Sequence, residues 1–179
     1  MKRNLLCLIT LTFAFVLRGQ EQQQPEIKDG TAFQYMYMDF SGPHYLIPEK
    51  IPAFFQEIRN QKLVNIISGD LFCIYFDFQA QVAGVDTVWG LGFKMAGDTT
   101  MQLPLKKANY QYDKLARMIH VGPYEMVDLT YSKMIPYIEQ NGMEVIGPPI
   151  ETWLDEDPSQ VDPANLRTEV IIPVRTKKQ

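Results

Sequence analysis

Two short segments at matching places in the two halves of the chain, Gly42-Pro43-His44-Tyr45 and Gly122-Pro123-Tyr124-Glu125, constrain the fold more than any other feature. What surrounds each is also alike. In the first half, apolar residues alternate from Phe33 to Phe40, as in a strand with one buried face, and Ile51, Phe54, Phe55 and Ile58 follow at helical spacing. Gly69 separates that helix from a strand over Phe72 to Phe78, and Thr87 to Met95 closes the unit. In the second half the strand is Met118 to Val121, the helical face is Val127, Tyr131, Met134, Ile135 and Ile138, and Asn141-Gly142 supplies a left-handed stop. Gly147-Pro148-Pro149 then leads into Ile150 to Leu154, and the β-branched run Thr168 to Val174 ends the unit.

The pattern predicts strand, helix, strand, strand, repeated once. The expected class is α+β, with duplicated units related by pseudo-twofold symmetry and a largely antiparallel sheet forming a ligand cleft. Pro136 predicts a kink or a new helix start, because it lacks an N–H and clashes with the preceding turn. Gly97 to Tyr112 reads as a connection with a short extended piece around Met101 to Leu105. The expected division is a leader over 1–20, a polar flexible segment over 21–30 and one domain over 31–175, with frayed ends at Glu21 to Gly30 and Thr176 to Gln179.

Lys2, Arg3 and Asn4 precede an apolar run from Leu5 to Leu17 that is too short for a comfortable membrane span. We read it as a secretory signal peptide cleaved near Gly19 or Gln20, so the protein is expected to be exported, periplasmic or secreted; an uncleaved membrane anchor is the alternative. Cleavage removes Lys2, Arg3 and Arg18, three of the 17 basic residues, against 21 acidic ones. The mature chain is then distinctly acidic and favours cationic over anionic ligands at long range. Cys7 lies inside the apolar run, so no lipidation site follows it and Cys73 is left as a small buried hydrophobe with no disulfide partner. Lys and Arg are scattered, without the clustered basic face that a nucleic acid requires.

The stretches His120-Val121-Gly122-Pro123-Tyr124-Glu125, Tyr137-Ile138-Glu139-Gln140-Asn141-Gly142, Gly147-Pro148-Pro149 with Glu151-Thr152-Trp153, and Leu166-Arg167-Thr168-Glu169 through Val174 resemble the GyrI-like family, the effector-binding domain of several multidrug-responsive transcription activators. The resemblance implies a pseudo-symmetric domain whose strands pack helices on one face and line a cleft with the other. Such clefts hold small organic molecules, often aromatic or cationic, against aromatic side chains and a buried carboxylate. Some members with a similar Leu-Arg-Thr-Glu ending are hydrolases of strained cyclopropane rings. The chain departs from the regulators in showing no helix-turn-helix ahead of the domain, and from the cytoplasmic members in its export signal, which argues against transcriptional control and gyrase inhibition.

Strand parity places Val170, Ile172 and Val174 on one face and Glu169, Ile171 and Pro173 on the other. With the Val/Ile face against the helices, Glu169 and Ile171 point into the cleft, where Glu169 attracts a cation or serves as a general base on water. Glu151 and Trp153 project together, and the repeat puts Cys73 and Tyr75 at the matching positions of the first half. Tyr45 and Tyr124, beside the Gly-Pro turns, would close the ends. The candidate ligand site is therefore Glu151, Trp153, Glu169, Tyr75, Tyr124, Tyr45 and Ile171. Solvated strand faces fit both glutamates equally well from sequence, and ordinary core or sheet-edge packing fits Trp153 and Tyr75. Trp89 reads as core and His120 as structural.

No metal or cofactor is expected. His44 and His120 are the only histidines and form no ligand-spaced pair; the acidic run Asp155-Glu156-Asp157 lacks the spacing of a calcium loop. No phosphate loop, dinucleotide fingerprint or serine nucleophile elbow occurs. The leading expectation is a non-catalytic protein that binds a small apolar or aromatic organic molecule, cationic or neutral, outside the cytoplasm. The alternatives are a hydrolase of strained electrophiles with Glu169 as base, and an interaction module whose cleft is filled by its own side chains.

Overall fold

A computed structural model describes residues 24–77 and 87–178. The leader over Met1 to Gln20 lies outside the described residues, as does Phe78. Among the described residues the strands are β1 (Glu26–Asp29), β2 (Ala32–Gly42), β3 (Ile67–Tyr75), β4 (Thr87–Met95), β5 (Lys106–Gln111), β6 (Lys114–Val121), β7 (Met143–Val145), β8 (Ile150–Trp153) and β9 (Arg167–Thr176). Two helices, α1 (Ile47–Asn60) and α2 (Asp128–Gln140), each follow a short 3-10 turn after one of the Gly-Pro segments. All the pairings are antiparallel, so the chain is an α+β protein built on one large open sheet.

The strands run in the order β1-β6-β9-β8-β3-β4-β2-β5, with β7 added to β9. The two halves pair in one pattern: β2 and β3 both pair with β4, while β6 and β8 both pair with β9. The halves meet where β3 pairs with β8.

One face of the sheet carries the helices. Met36, Cys73, Tyr75, Trp89, Leu91 and Phe93 pack with Ile47, Phe54 and Ile58 of α1. Ala116, Met118, Val170, Ile172 and Val174 pack with Tyr131, Met134 and Ile138 of α2, as the alternation in β9 predicts. The helix-side residues of β3 thus belong to one cluster and those of β9 to the other, with β8 between them.

The opposite face is not an empty cleft. β5 and β6 stand towards opposite ends of the strand order, yet only Tyr112 and Asp113 separate them; only Gly30 and Thr31 separate β1 from β2. Such short links draw the two edges of the sheet together, and the face they enclose is filled by Tyr35, Phe72, Ile74, Tyr110, Leu115 and Ile150. Phe33 stacks on Tyr110 at 5.0 Å, and Tyr35 meets Phe72 edge-on at 5.7 Å. Gly92 belongs to this packing, because a Cβ there would lie 2.7 Å from the Phe72 ring and 2.9 Å from the Met36 carbonyl.

Several elements differ from the sequence reading. The segment expected to be frayed, Glu21 to Gly30, contains β1, which pairs with β6 through Glu26↔Arg117 and Lys28↔Leu115. The extended piece expected at Met101 to Leu105 is displaced to β5, whose polar alternation Lys106-Lys107-Ala108-Asn109 hides a strand that buries Tyr110 alone. β3 begins before Gly69 and accommodates it in an irregularity between Ser68 and Phe72, where Gly69 takes a φ of 88°. α2 runs unbroken through Pro136; Pro136 and Ser132, whose carbonyl loses its helical donor, are both exposed, so the loss falls on the solvent side of the helix. β7 had no counterpart in the sequence reading.

Candidate functional site

The centre of the helix-bearing face is a carboxylate. Glu151 stands on β8 opposite Cys73 of β3 and Val170 of β9, so its side chain shares their face and lies between the α1 and α2 clusters. It is 4% exposed. A carboxylate so placed needs donors, and two tyrosines provide them: Tyr75 donates to Oε2 at 3.0 Å and Tyr131 of α2 donates to Oε1 at 2.9 Å. Burial pushes the Glu151 carboxyl up to about 7, the hydrogen bonds from Tyr131 and Tyr75 pull it down, and the charge of Asp128 adds to the rise. Burial, reinforced by Cys73 and Glu151, holds the Tyr75 hydroxyl well above its ordinary range; burial and Glu151 do the same for Tyr131. Both therefore remain neutral donors. Burial also keeps Cys73 a thiol.

Trp153, two residues along β8, projects from the same side and packs against the α1 cluster. Tyr124, in the 3-10 turn that precedes α2, meets the Trp153 ring edge-on at 6.3 Å. Both rings are half-buried and lead outward from Glu151. Thr168 is the register partner of Trp153 and of His120. The His120 ring is fully engaged: Nε2 donates to the Pro123 carbonyl at 3.0 Å, and Nδ1 shares a hydrogen bond with the Thr130 hydroxyl at 3.0 Å. It holds the Gly-Pro turn against α2 and has no free nitrogen for chemistry.

The structure thus brings together four of the residues singled out in the sequence, Tyr75, Glu151, Trp153 and Tyr124. It separates the other three from them. Glu169 pairs in register with Thr152 and Ile119, one residue out of phase with Glu151, and so lies on the opposite face. There its carboxylate accepts from the Arg117 guanidinium, which also reaches Glu26 at 3.2 Å. Ile171 shares that face and packs against the aromatic filling. Tyr45 is 71% exposed. In the repeat it aligns with Glu125, and His44 stands at the place of Tyr124, so the one-residue offset turns it outward. Sequence reasoning missed Tyr131, the second donor to Glu151; its place on the buried stripe of α2 gave it the signature of core. Trp89 is core, fully buried and donating its indole N–H to the Gly42 carbonyl at 3.0 Å.

Among the described residues no group of three or more His, Cys, Asp or Glu is arranged to hold a metal ion. No helix among them is long and apolar enough to cross a membrane.

A buried carboxylate held by neutral hydroxyls, with half-buried aromatic rings beside it, thus sits between two helix clusters on the antiparallel sheet of an α+β protein. The family model of the GyrI-like small molecule binding domain matches residues 23–175, and the chain belongs to that family. Its fold is similar to the C-terminal domain of EcmrR, at 19% identity and a TM-score of 0.74 over 87% of this chain and 99% of that one. The chain spans 59% of the EcmrR protein in its DNA complex. It is also similar to a hydrolase from Listeria innocua, at 14% identity and a TM-score of 0.62 over 86% of this chain and 93% of that one. SAV2435 bound to tetraphenylphosphonium is similar at 13% identity and a TM-score of 0.55, over 85% of this chain and 94% of that one. At these identities the likeness establishes the fold. A search of curated protein sequences gives no significant match.

Proposed function

We propose that the domain binds an aromatic or apolar organic cation against Glu151, and that it does so outside the cytoplasm. The observation that carries this reading is the Tyr75–Glu151–Tyr131 arrangement, a carboxylate buried at the junction of the two halves and held by two neutral hydroxyls. Burying a carboxylate is costly, and two hydrogen bonds offset that only in part, so a cation arriving at Glu151 relieves an unfavourable state already built into the fold. Trp153 and Tyr124 add aromatic rings at the same site, each face worth about 0.5–2 kcal/mol to a cation depending on desolvation. The similar protein SAV2435 has been seen with tetraphenylphosphonium, a cation of this chemistry. The leader read in Met1 to Gln20 supports the export part of the proposal.

A hydrolytic reading loses its base at Glu169, whose carboxylate is engaged by Arg117 on the other face. It would have to move to Glu151, whose pKa of about 7 suits a general base. Both oxygens of Glu151 already accept from tyrosyl hydroxyls, which stabilise the charge and lower its basicity towards a water proton, and this favours binding.

The test is thermal stabilisation by tetraphenylphosphonium at pH 8, wild type beside Glu151→Gln. At about a hundredfold its Kd, a ligand adds about 2.7 kcal/mol to the folded state. Stabilisation of the wild type that disappears in Glu151→Gln supports the reading; equal stabilisation of both proteins removes Glu151 from it.

A further inference from the structure

Two buried hydroxyls beside the Glu151 site have no hydrogen-bond partner, those of Tyr124 and Thr168. Thr168 is 1% exposed, so water does not reach it freely. Both flank Trp153: Thr168 is its register partner on β9, and the Tyr124 ring meets the Trp153 ring edge-on. The Tyr124 hydroxyl lies in the field of Asp155, but that carboxylate is taken by the Arg167 amide and guanidinium and forms no bond to it. A valine at 168 would suit a β-branched strand position beside Val170, and a phenylalanine at 124 would keep the ring contact. A hydroxyl buried without an acceptor costs stability, and such groups in a native protein point to a partner that arrives later.

We propose that Tyr124 and Thr168 form a hydrogen-bonding subsite for an acceptor oxygen, such as a carbonyl or ether, carried by the ligand whose cation sits at Glu151. The inference rests on the Glu151 reading and narrows it. Thr168 lies two residues along β9 from Val170, the register partner of Glu151, so the subsite is displaced from the carboxylate by roughly 7 Å along the strand. The favoured ligand class is therefore an elongated aromatic cation with an acceptor oxygen several bonds from its positive centre. A purely hydrocarbon cation would fill the Glu151 end and leave the two hydroxyls unserved.

The experiment compares two probes that differ only in their bridge, 4-benzoyl-1-methylpyridinium, with a carbonyl, and 4-benzyl-1-methylpyridinium, with a methylene. Each is titrated into wild type, Tyr124→Phe, Thr168→Val and Glu151→Gln, with tryptophan fluorescence and calorimetry as readouts. Wild type is expected to prefer the benzoyl probe by about fivefold, the worth of one neutral hydrogen bond. Each hydroxyl deletion should lower that preference, weakening the benzoyl probe by more than the benzyl probe. In the absence of probe, both deletions should raise Tm, because each removes an unpaired buried hydroxyl. Equal affinities for the two probes in wild type overturn the subsite alone, as does a preference that survives both deletions. A fall in Tm on either deletion shows that hydroxyl to be satisfied already and overturns its role. A preference retained in Glu151→Gln at unchanged affinity keeps the subsite and overturns the carboxylate reading; failure of both probes to bind wild type overturns both.

Discussion

Glu151 and Val170 are register partners on β8 and β9, and this pairing decides which carboxylate shares a face with Tyr131 and α2. It carries Glu151 onto the helix-bearing face and leaves Glu169, adjacent to Val170 in the chain, on the other. Replacing Glu169 by Gln is therefore expected to leave ligand affinity unchanged. Its ion pair with Arg117 is partly exposed, so the loss in stability should stay within about 1 kcal/mol. Urea denaturation beside a tetraphenylphosphonium titration checks both points, and a large loss of affinity would return Glu169 to the site.

Ligand binding and stability should respond to pH in opposite senses. Glu151 is raised from 4.5 to about 7 in the folded state, with Tyr75 and Cys73 on β3, Tyr131 within α2 and Asp128 at its start as the titratable groups around it. Between those values the folded protein holds a proton that the unfolded chain has released, so stability falls as pH rises through this window and levels off above about 7. The amount is on the order of 3 kcal/mol. On the proposed reading a cation pairs with the ionised carboxylate, so its affinity is expected to rise through the same window. Glu151→Gln should flatten both profiles and stabilise the unliganded protein at pH 8, measured by thermal melts across a pH series.

Removing either tyrosyl donor should move the titration upward. Tyr131→Phe and Tyr75→Phe each withdraw one hydrogen bond that favours the ionised form of Glu151, which is expected to raise its midpoint by about one unit and shift the rise in cation affinity to higher pH. Carboxyl chemical shifts followed by NMR give the midpoint directly; an unchanged midpoint would show that neither hydroxyl stabilises the charge.

The filled face away from the helices predicts a different kind of mutant. Gly92→Ala would place a methyl group 2.7 Å from the Phe72 ring and is expected to cost about 1–3 kcal/mol without touching ligand affinity. Denaturation midpoints for Gly92→Ala, beside an exposed Gly97→Ala control that still carries the strain of a positive φ at 118°, separate crowding from backbone effects.

The elements that bury a continuous apolar face were legible in the chain. The alternation in β2 and β9 and the helical spacing of α1 and α2 survive in the structure, because burial against the helices is what both the pattern and the fold express. Strands that bury little carried no such signal: β1 is four residues of Glu-Ile-Lys-Asp, and β5 is mostly charged or amide side chains. For the site, parity within a strand was legible and correctly joined Glu151 to Trp153. The phase between neighbouring strands is set by pairing register, which periodicity does not contain, and that is why Glu169 was grouped with residues on the other face. Tyr75 and Tyr131 converge on one carboxylate from different halves, a relation no local pattern encodes.

The junction of β3 with β8 has a dynamic consequence. Tyr75 belongs to one half of the chain, while Glu151 and Tyr131 belong to the other, so any loosening of that junction parts the carboxylate from one of its donors. A molecule seated there acts as a rivet through the seam. Its arrival should register most strongly as slowed amide hydrogen exchange in β3 and β8, with α1 and α2 much less affected, so that occupancy is read in the breathing of the sheet's central pair.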